Sequence, residues 1–263
     1  MSNKCAIVIP IYKEHSKLLK HESKLIDQLQ KIFLNRHILL ALPEKLKGSF
    51  YSNNFSCRYF PNHYFENKLS YSKLLCSSKF YEVFIEFECI QIVQLDCWLF
   101  KDQLDEFMSM GFDYIGAPWM KNGFEGKPQP KMWKVGNGGF SLRRVSTFLR
   151  ILNEIQNTKK GNLPVFRNFN NGIIGYLKNK GIRNNLRHYI KNPPGEDIFW
   201  SIYVPLVFGK EAFKIADLIT AAHYSFETLP RYLFDSVTKG KLPMGCHNWE
   251  GNNRNFWLRH INE

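Results

Sequence analysis

Nowhere in this 263-residue sequence do two cysteines stand in CxxC spacing, although Cys5, Cys57, Cys76, Cys89, Cys97 and Cys246 are present. That absence argues against a zinc site. The scatter of the thiols through apolar runs such as FIEFECIQIVQLDCWLF reads as reduced, packed cysteines of a cytosolic protein rather than a disulfide frame. Also missing is any apolar stretch near the ~20 residues that a membrane span requires. The opening MSNKCAIVIPIYKE turns charged too soon for a signal peptide, so the reading is a soluble protein of the synthesis compartment. A third absence is local. Residues 155–195 contain no Asp or Glu, yet carry Lys159, Lys160, Arg167, Lys178, Lys180, Arg183, Arg187 and Lys191 within a chain of net charge +13. Such a segment is either a solvated face or a basic surface for phosphate in nucleic acid, in anionic headgroups or in a pyrophosphate-linked substrate.

What is present argues for a packed protein. At 44% hydrophobic and 15% aromatic residues the chain can bury a large core, as one broad domain or two closely joined halves. KCAIVIPI and HILLALPE are short apolar runs ended by proline, the pattern of strands buried on both faces. Between them SKLLKHESKLIDQLQKIF repeats apolar residues at helical spacing, with Ser16 as a candidate cap. FENKLSYSKLLCSSKFYEVF reads as a helix leading into the strand ECIQIVQLDCWLF. Alternating strands and helices predict an α/β fold with a mostly parallel, two-sided central sheet. Ligands of such sheets bind beyond the carboxyl ends of the strands, where the YKE loop and Asp96 fall. After residue 100 the composition shifts toward Gly, Pro, Asn and Trp, as suits a substrate-recognition half.

Four segments carry chemistry. VGNGGFSLRR, residues 135–144, places Asn137 between glycines. Gly136, Gly138 and Gly139 can take φ > 0 or admit a ligand to backbone N–H groups, while the amide donates and accepts as a sugar requires. The same residues also suit a plain tight turn before a strand. QLDCW, residues 94–98, sets Asp96 after a buried strand with Gln94 two residues earlier; these oxygens can hold a hard divalent cation, or Asp96 can cap a helix. PPGEDIFW, residues 193–200, pairs Glu196 with Asp197, one able to deprotonate a hydroxyl while the other orients substrate. An acidic first turn of the helix DIFWSIYVPLVF is an equally good account of that pair. MGCHNWE, residues 244–250, offers His247 with Met244 three residues before it, as metal ligands, and Trp249 for stacking on a sugar ring; a packed aromatic cluster with Phe256 and Trp257 is the alternative. His223 competes with His247 as a ligand.

VIPIYKE, FENKLSYSKLLCSSKFYEVF, ECIQIVQLDCWLF, GFDYIGAPW, VGNGGFSLRR and GEDIFW, in this order, resemble a family of glycosyltransferase-like domains of the DUF5672 type. The resemblance implies a GT-A fold, a Rossmann-like nucleotide-sugar domain fused to an acceptor half, here 1–100 and 101–263 of a single domain. In that fold a DxD motif ends a central strand and its last carboxylate binds Mn²⁺ or Mg²⁺. This chain has Gln94, Leu95 and Asp96 in its place, so the first acid is absent. More distantly the chain is similar to β-1,4-galactosyltransferases, whose second metal-binding pair Met244 and His247 resemble and whose acceptor motif GEDIFW resembles. On that comparison Asp197 is the base of an inverting transfer.

The expectation is therefore a cytoplasmic glycosyltransferase, peripheral at the inner face of the membrane if residues 155–195 meet anionic lipid. It would move a hexose from a UDP-sugar or related donor to a glycan or lipid-linked acceptor in surface polysaccharide synthesis. Pro10, Tyr12, Lys13 and Glu14, with Ser70, Tyr71 and Lys73, would hold the nucleoside. Gln94, Asp96, Asn137, Gly138 and Gly139 would line the donor, and Asp96, His247 and Met244 the cation. Glu196 and Asp197 would serve catalysis, and Trp119 and Trp249 the acceptor. Two other readings stand beside it: a catalytically silent sugar-binding relative, and single-stranded RNA binding through the basic segment and its aromatics. The latter accounts for neither Asp96 nor the acidic pair, so nucleic acid is not expected as a partner.

Overall fold

The computed structural model describes residues 4–121, 129–157 and 185–261. Most of the basic segment, with Lys159, Lys160, Arg167, Lys178, Lys180 and Arg183, lies outside the described residues. A six-stranded sheet forms the centre, in the order β3-β2-β1-β4-β9-β6. Its strands are β1 (Cys5–Pro10), β2 (His37–Pro43), β3 (Ser56–Phe60), β4 (Cys89–Val93), β6 (Tyr114–Ile115) and β9 (Phe140–Arg144). β1 to β4 run parallel, whereas β9 is antiparallel to both β4 and β6. Chain order reverses between β1 and β4, which makes their carboxyl ends the switch point where open α/β sheets bind ligands.

Alternation along β1 shows why these runs had to be strands. Ala6 and Val8 enter one apolar cluster while Cys5, Ile7 and Ile9 enter another on the opposite face. A helix would mix the two sets; a strand separates them. Helix α1 (Lys20–Ile32) covers the second cluster with Leu25, Ile26 and Leu29. Helix Val145–Asn157 covers the first with Phe148, Ile151, Leu152 and Ile155.

Smaller sheets attach beside the central one. β7 (Ala117–Met120) and β8 (Met132–Gly136) form a two-stranded ribbon. β5 (Trp98–Leu99), β10 (Ser225–Phe226) and β11 (Gly245–Cys246) form a three-stranded sheet in the order β10-β11-β5. All six cysteines are free thiols, five of them buried. Among the described residues no helix is long and apolar enough to cross a membrane.

Several boundaries differ from the sequence reading. Ser16 caps nothing, because it lies in the 3₁₀ turn His15–Lys17 and α1 starts at Lys20, where the Glu22 carboxylate accepts the Leu19 N–H at 2.8 Å. The run FENKLSYSKLLCSSKFYEVF divides into a 3₁₀ turn and helices Lys68–Leu75 and Ser78–Glu82, since the Cys76–Ser77 turn redirects the chain. GEDIFWSIYVPLVF is one continuous helical stretch, α-helical at Glu196–Ile198, widened to π-helix at Phe199–Tyr203 and α-helical again at Val204–Phe208.

Trp200 locks this stretch to the helices that flank the sheet. Its ring stands 4.1 Å from Phe148 and 5.6 Å from Phe213, and its indole N–H donates to the Leu75 carbonyl at 3.1 Å. Trp200→Ala removes a fully buried ring that its neighbours cannot replace. Stability in urea should fall by ~3–5 kcal/mol, and a loss below about 1 kcal/mol would mean that the helical stretch is not packed as described.

Candidate functional site

Strand register, rather than sequence proximity, assembles the site. β9 pairs with β4 so that Phe140 faces Val93, and the next residues outward, Gly139 and Gln94, meet through a 2.9 Å bond from the Gln94 N–H to the Gly139 carbonyl. β10 pairs in parallel with β11, placing Glu227 beside His247 just past the strand ends. β11 pairs antiparallel with β5, Cys246 opposite Trp98, so that His247 meets the segment carrying Asp96. Three chain segments distant in sequence thus converge at the carboxyl end of β4.

The glycines are required by close approach rather than by positive φ. Asn137 alone in the turn is left-handed, at φ 67°, and its side-chain oxygen accepts the Gly139 N–H at 3.1 Å. A Cβ on Gly136 would strike the Trp119 indole, one on Gly138 the Glu196 Oε1, and one on Gly139 the His247 Nε2 and Gln94 Oε1. Each glycine therefore seats a different side chain that the sequence reading assigned to the site.

Beneath the turn lies Arg143, which the sequence reading passed over. Its side chain has no exposed surface. Its guanidinium donates to Ser141 Oγ at 3.0 Å, to Tyr81 Oη at 2.9 Å, to the Gly138 carbonyl at 3.3 Å and to Glu196 Oε1 at 2.9 Å. Burial pushes the Glu196 carboxyl above its usual range; the Arg143 cation pulls against that rise and the Asp197 charge adds to it. Glu196 Oε2 and Asn137 Nδ2 are buried without a hydrogen-bond partner among the described residues. Two buried, unmatched polar atoms flanking Gly138 suit a ligand bearing hydroxyls. Asp197 is half-buried, its Oδ1 accepting the Ile198 N–H at 2.9 Å. The acidic pair is thus divided into an inward member held by Arg143 and an outer one nearer solvent.

His247 centres the second cluster. Nε2 lies 3.2 Å from Gln94 Oε1 and 3.3 Å from Asp96 Oδ1, while Nδ1 lies 3.1 Å from Glu227 Oε1. Burial lowers the affinity of this ring for a proton, but the hydrogen bonds to Asp96 and Glu227 outweigh it and raise its pKa to about 9. Asp96 shifts downward: burial acts to raise it, and the His247 hydrogen bond and charge prevail. Among the described residues no three or more His, Cys, Asp or Glu side chains are arranged to hold a metal ion. Asp96 Oδ1 and the Gln94 amide oxygen nevertheless each stand from His247 Nε2 near the ~3 Å separation of neighbouring ligands around an octahedral ion. One carboxylate, one imidazole nitrogen and one amide oxygen are donors that a divalent cation accepts.

Other expected residues fall as follows. Pro10 ends β1 beside β4, Tyr12 is exposed, Glu14 pairs with Lys17 at 3.5 Å, and Lys13 is held by Glu22 at 2.7 Å. Ser70, Tyr71 and Lys73 lie on helix Lys68–Leu75, whose first turn is capped by Asn67. Burial raises the Tyr71 hydroxyl, with Arg143 opposing and Glu196 reinforcing, which marks its nearness to the acidic cluster. Two assignments are overturned. Trp249 is 1% exposed and packs edge-on against Trp98 within a cluster containing Phe256 and Trp257, so it has no face for a sugar. Met244 is fully buried with Leu95, Phe140 and Tyr224, so its thioether belongs to the core and not to a cation site. His223 lies in the last turn of helix Leu218–Tyr224 and is not brought to Asp96 by any described contact. Glu227 was missed because the acid in YSFETLP has no spacing relation to His247.

The architecture is the GT-A fold of glycosyltransferases. The galactosyltransferase LgtC, solved with donor and acceptor sugar analogues, superposes with a TM-score of 0.50 at 9% identity, covering 92% of this chain and 86% of its own. A glycosyltransferase involved in glycosylation of the major capsid of PBCV-1 aligns over 98% of both chains at 9% identity and a TM-score of 0.42. No curated protein matches by sequence. The chain belongs to the family described as protein of unknown function DUF5672, whose family model matches residues 54–247.

Arg143→Met should destabilise the protein by ~3–5 kcal/mol, since it leaves the Glu196 carboxylate buried and unpaired. Glu196→Gln added to Arg143→Met should recover part of that loss in urea unfolding. Additive losses would show that the two side chains are not coupled.

Proposed function

We propose that the chain is a glycosyltransferase that moves a hexose from a nucleoside diphosphate sugar, a UDP-sugar in the simplest form, to a glycan or lipid-linked acceptor. The observation that carries this reading is the meeting of two clusters across the glycine turn, Asp96–His247–Gln94 on one side and Arg143–Glu196–Asp197 on the other. One suits a diphosphate and the other suits hydroxyls, which are the two ends of a nucleotide sugar. The GT-A fold supports the same reading.

Residues 1–100 would form the nucleotide-sugar half and 101–263 the acceptor half. The β1 loop, Pro10 to Glu14, and Ser70, Tyr71 and Lys73 would border the nucleoside. Asn137 and the backbone of Gly138 and Gly139 would border the transferred sugar, with Glu196 holding a hydroxyl through its buried Oε2. Trp119, seated on Gly136, would form the acceptor-side wall. Asp197 would take the proton of the acceptor hydroxyl as its oxygen attacks the anomeric carbon. The bond to the diphosphate then breaks with its electron pair on the leaving group, and the configuration inverts. Asp96, His247 and Gln94 would hold Mn²⁺ or Mg²⁺, which when bound supplies Lewis-acid neutralisation of the leaving diphosphate.

Asp197→Asn should retain donor binding and lose transfer by ~10²–10⁴, the usual contribution of a general base. An Asn variant of undiminished rate removes Asp197 from the reaction. Asp96→Ala should abolish Mn²⁺-dependent donor binding in calorimetry, and retained binding refutes its role. A panel of nucleotide sugars tested by thermal shift with and without Mn²⁺ identifies the donor, because a ligand of the folded state raises its stability.

A further inference from the structure

We infer that Glu227 supplies, from behind His247, the negative charge that the end of β4 lacks at Gln94, and that it fixes the imidazole with Nε2 toward Gln94 and Asp96. The inference rests on the cation site proposed above and assigns that site a residue which neither the family resemblance nor the sequence pattern singles out.

The geometry is one-sided. Glu227 Oε1 meets Nδ1 at 3.1 Å, whereas Gln94 and Asp96 both meet Nε2. Once a cation displaces the Nε2 proton, a ring that still donates its Nδ1 proton to a carboxylate presents an Nε2 lone pair on the far side. A carboxylate behind a ligating histidine also increases the electron density at the other nitrogen. The arrangement is built in, because the His247 N–H donates to the Phe226 carbonyl at 3.0 Å, so the parallel pairing of β10 and β11 sets the two side chains next to each other. Their side chains are only 14% and 20% exposed, which shields the contact from water. Gly139, lacking a Cβ, lets the ring seat directly against the glycine turn, which fixes the position of Nε2.

The charge balance follows. With Gln94 at the strand end, Asp96 is the single carboxylate beside His247 Nε2 among the described residues, and Gln94 contributes a neutral amide there. Glu227 adds a second negative charge at one remove, through the ring, without occupying a coordination position. It is a positioning residue, since it touches neither cation nor substrate.

The test is titration of the purified full chain with Mn²⁺ alone, followed by the EPR signal of the free ion. Glu227→Gln keeps size and hydrogen-bonding ability but removes the charge, and should weaken Mn²⁺ binding ~10–100-fold while the variant still unfolds in one cooperative transition. Gln94→Asp added to Glu227→Gln should recover most of the affinity, because it returns a carboxylate to the strand end. Equal Mn²⁺ affinity of wild type and Glu227→Gln overturns the inference and leaves the cation site standing. A loss that Gln94→Asp fails to recover overturns the charge relation. Absence of Mn²⁺ binding by the wild type up to millimolar concentration overturns the cation site itself, and this inference with it.

Discussion

The buried contact between Arg143 and Glu196 is the constraint on which the rest of the site depends. A guanidinium with no exposed surface must satisfy its donors inside the protein, and here it does so on four different partners. Those partners belong to β9, to helix Ser78–Glu82, to the glycine turn and to the start of the helix at Glu196. Removing two charges from water is expensive, and such pairs contribute more to geometry than to net stability. What this pair secures is the position of Gly138 relative to Glu196, from which the place of Asp197 follows by one peptide unit.

The second cluster depends on the first through the backbone. Gly139 carries the Gln94 N–H on its carbonyl and leaves space for the His247 ring above it. A shift of the turn would therefore displace the acidic helix start and the imidazole together. Coupling of this kind lets one short segment hold two chemically different clusters at a set separation.

Some of this was legible in the sequence and some was not, for physical reasons. β1 and β2 could be read because strands buried on both faces must be apolar throughout, and α1 because its buried side repeats at helical spacing. Asp96 could be placed because polar residues after a buried strand fall at a sheet's carboxyl edge. Arg143 could not, since an arginine inside a strand looks like an exposed one until Ser141, Tyr81 and Glu196 are seen around it. Trp249 and Met244 were misplaced because a binding loop and a buried aromatic cluster share the same composition. Glu227 and His247 meet only through the pairing of two-residue strands, which are too short to leave a periodic signal.

The three-stranded sheet of β5, β10 and β11 has a consequence for biosynthesis. Asp96 and Gln94 leave the ribosome long before Glu227 and His247, and the strands that bring them together cannot pair until residue 247 is free. A nascent chain can thus complete its parallel sheet, from β1 to β4, before the cluster around His247 exists. The side chains of that cluster therefore meet only in the last stage of synthesis, after the central framework that carries them is in place.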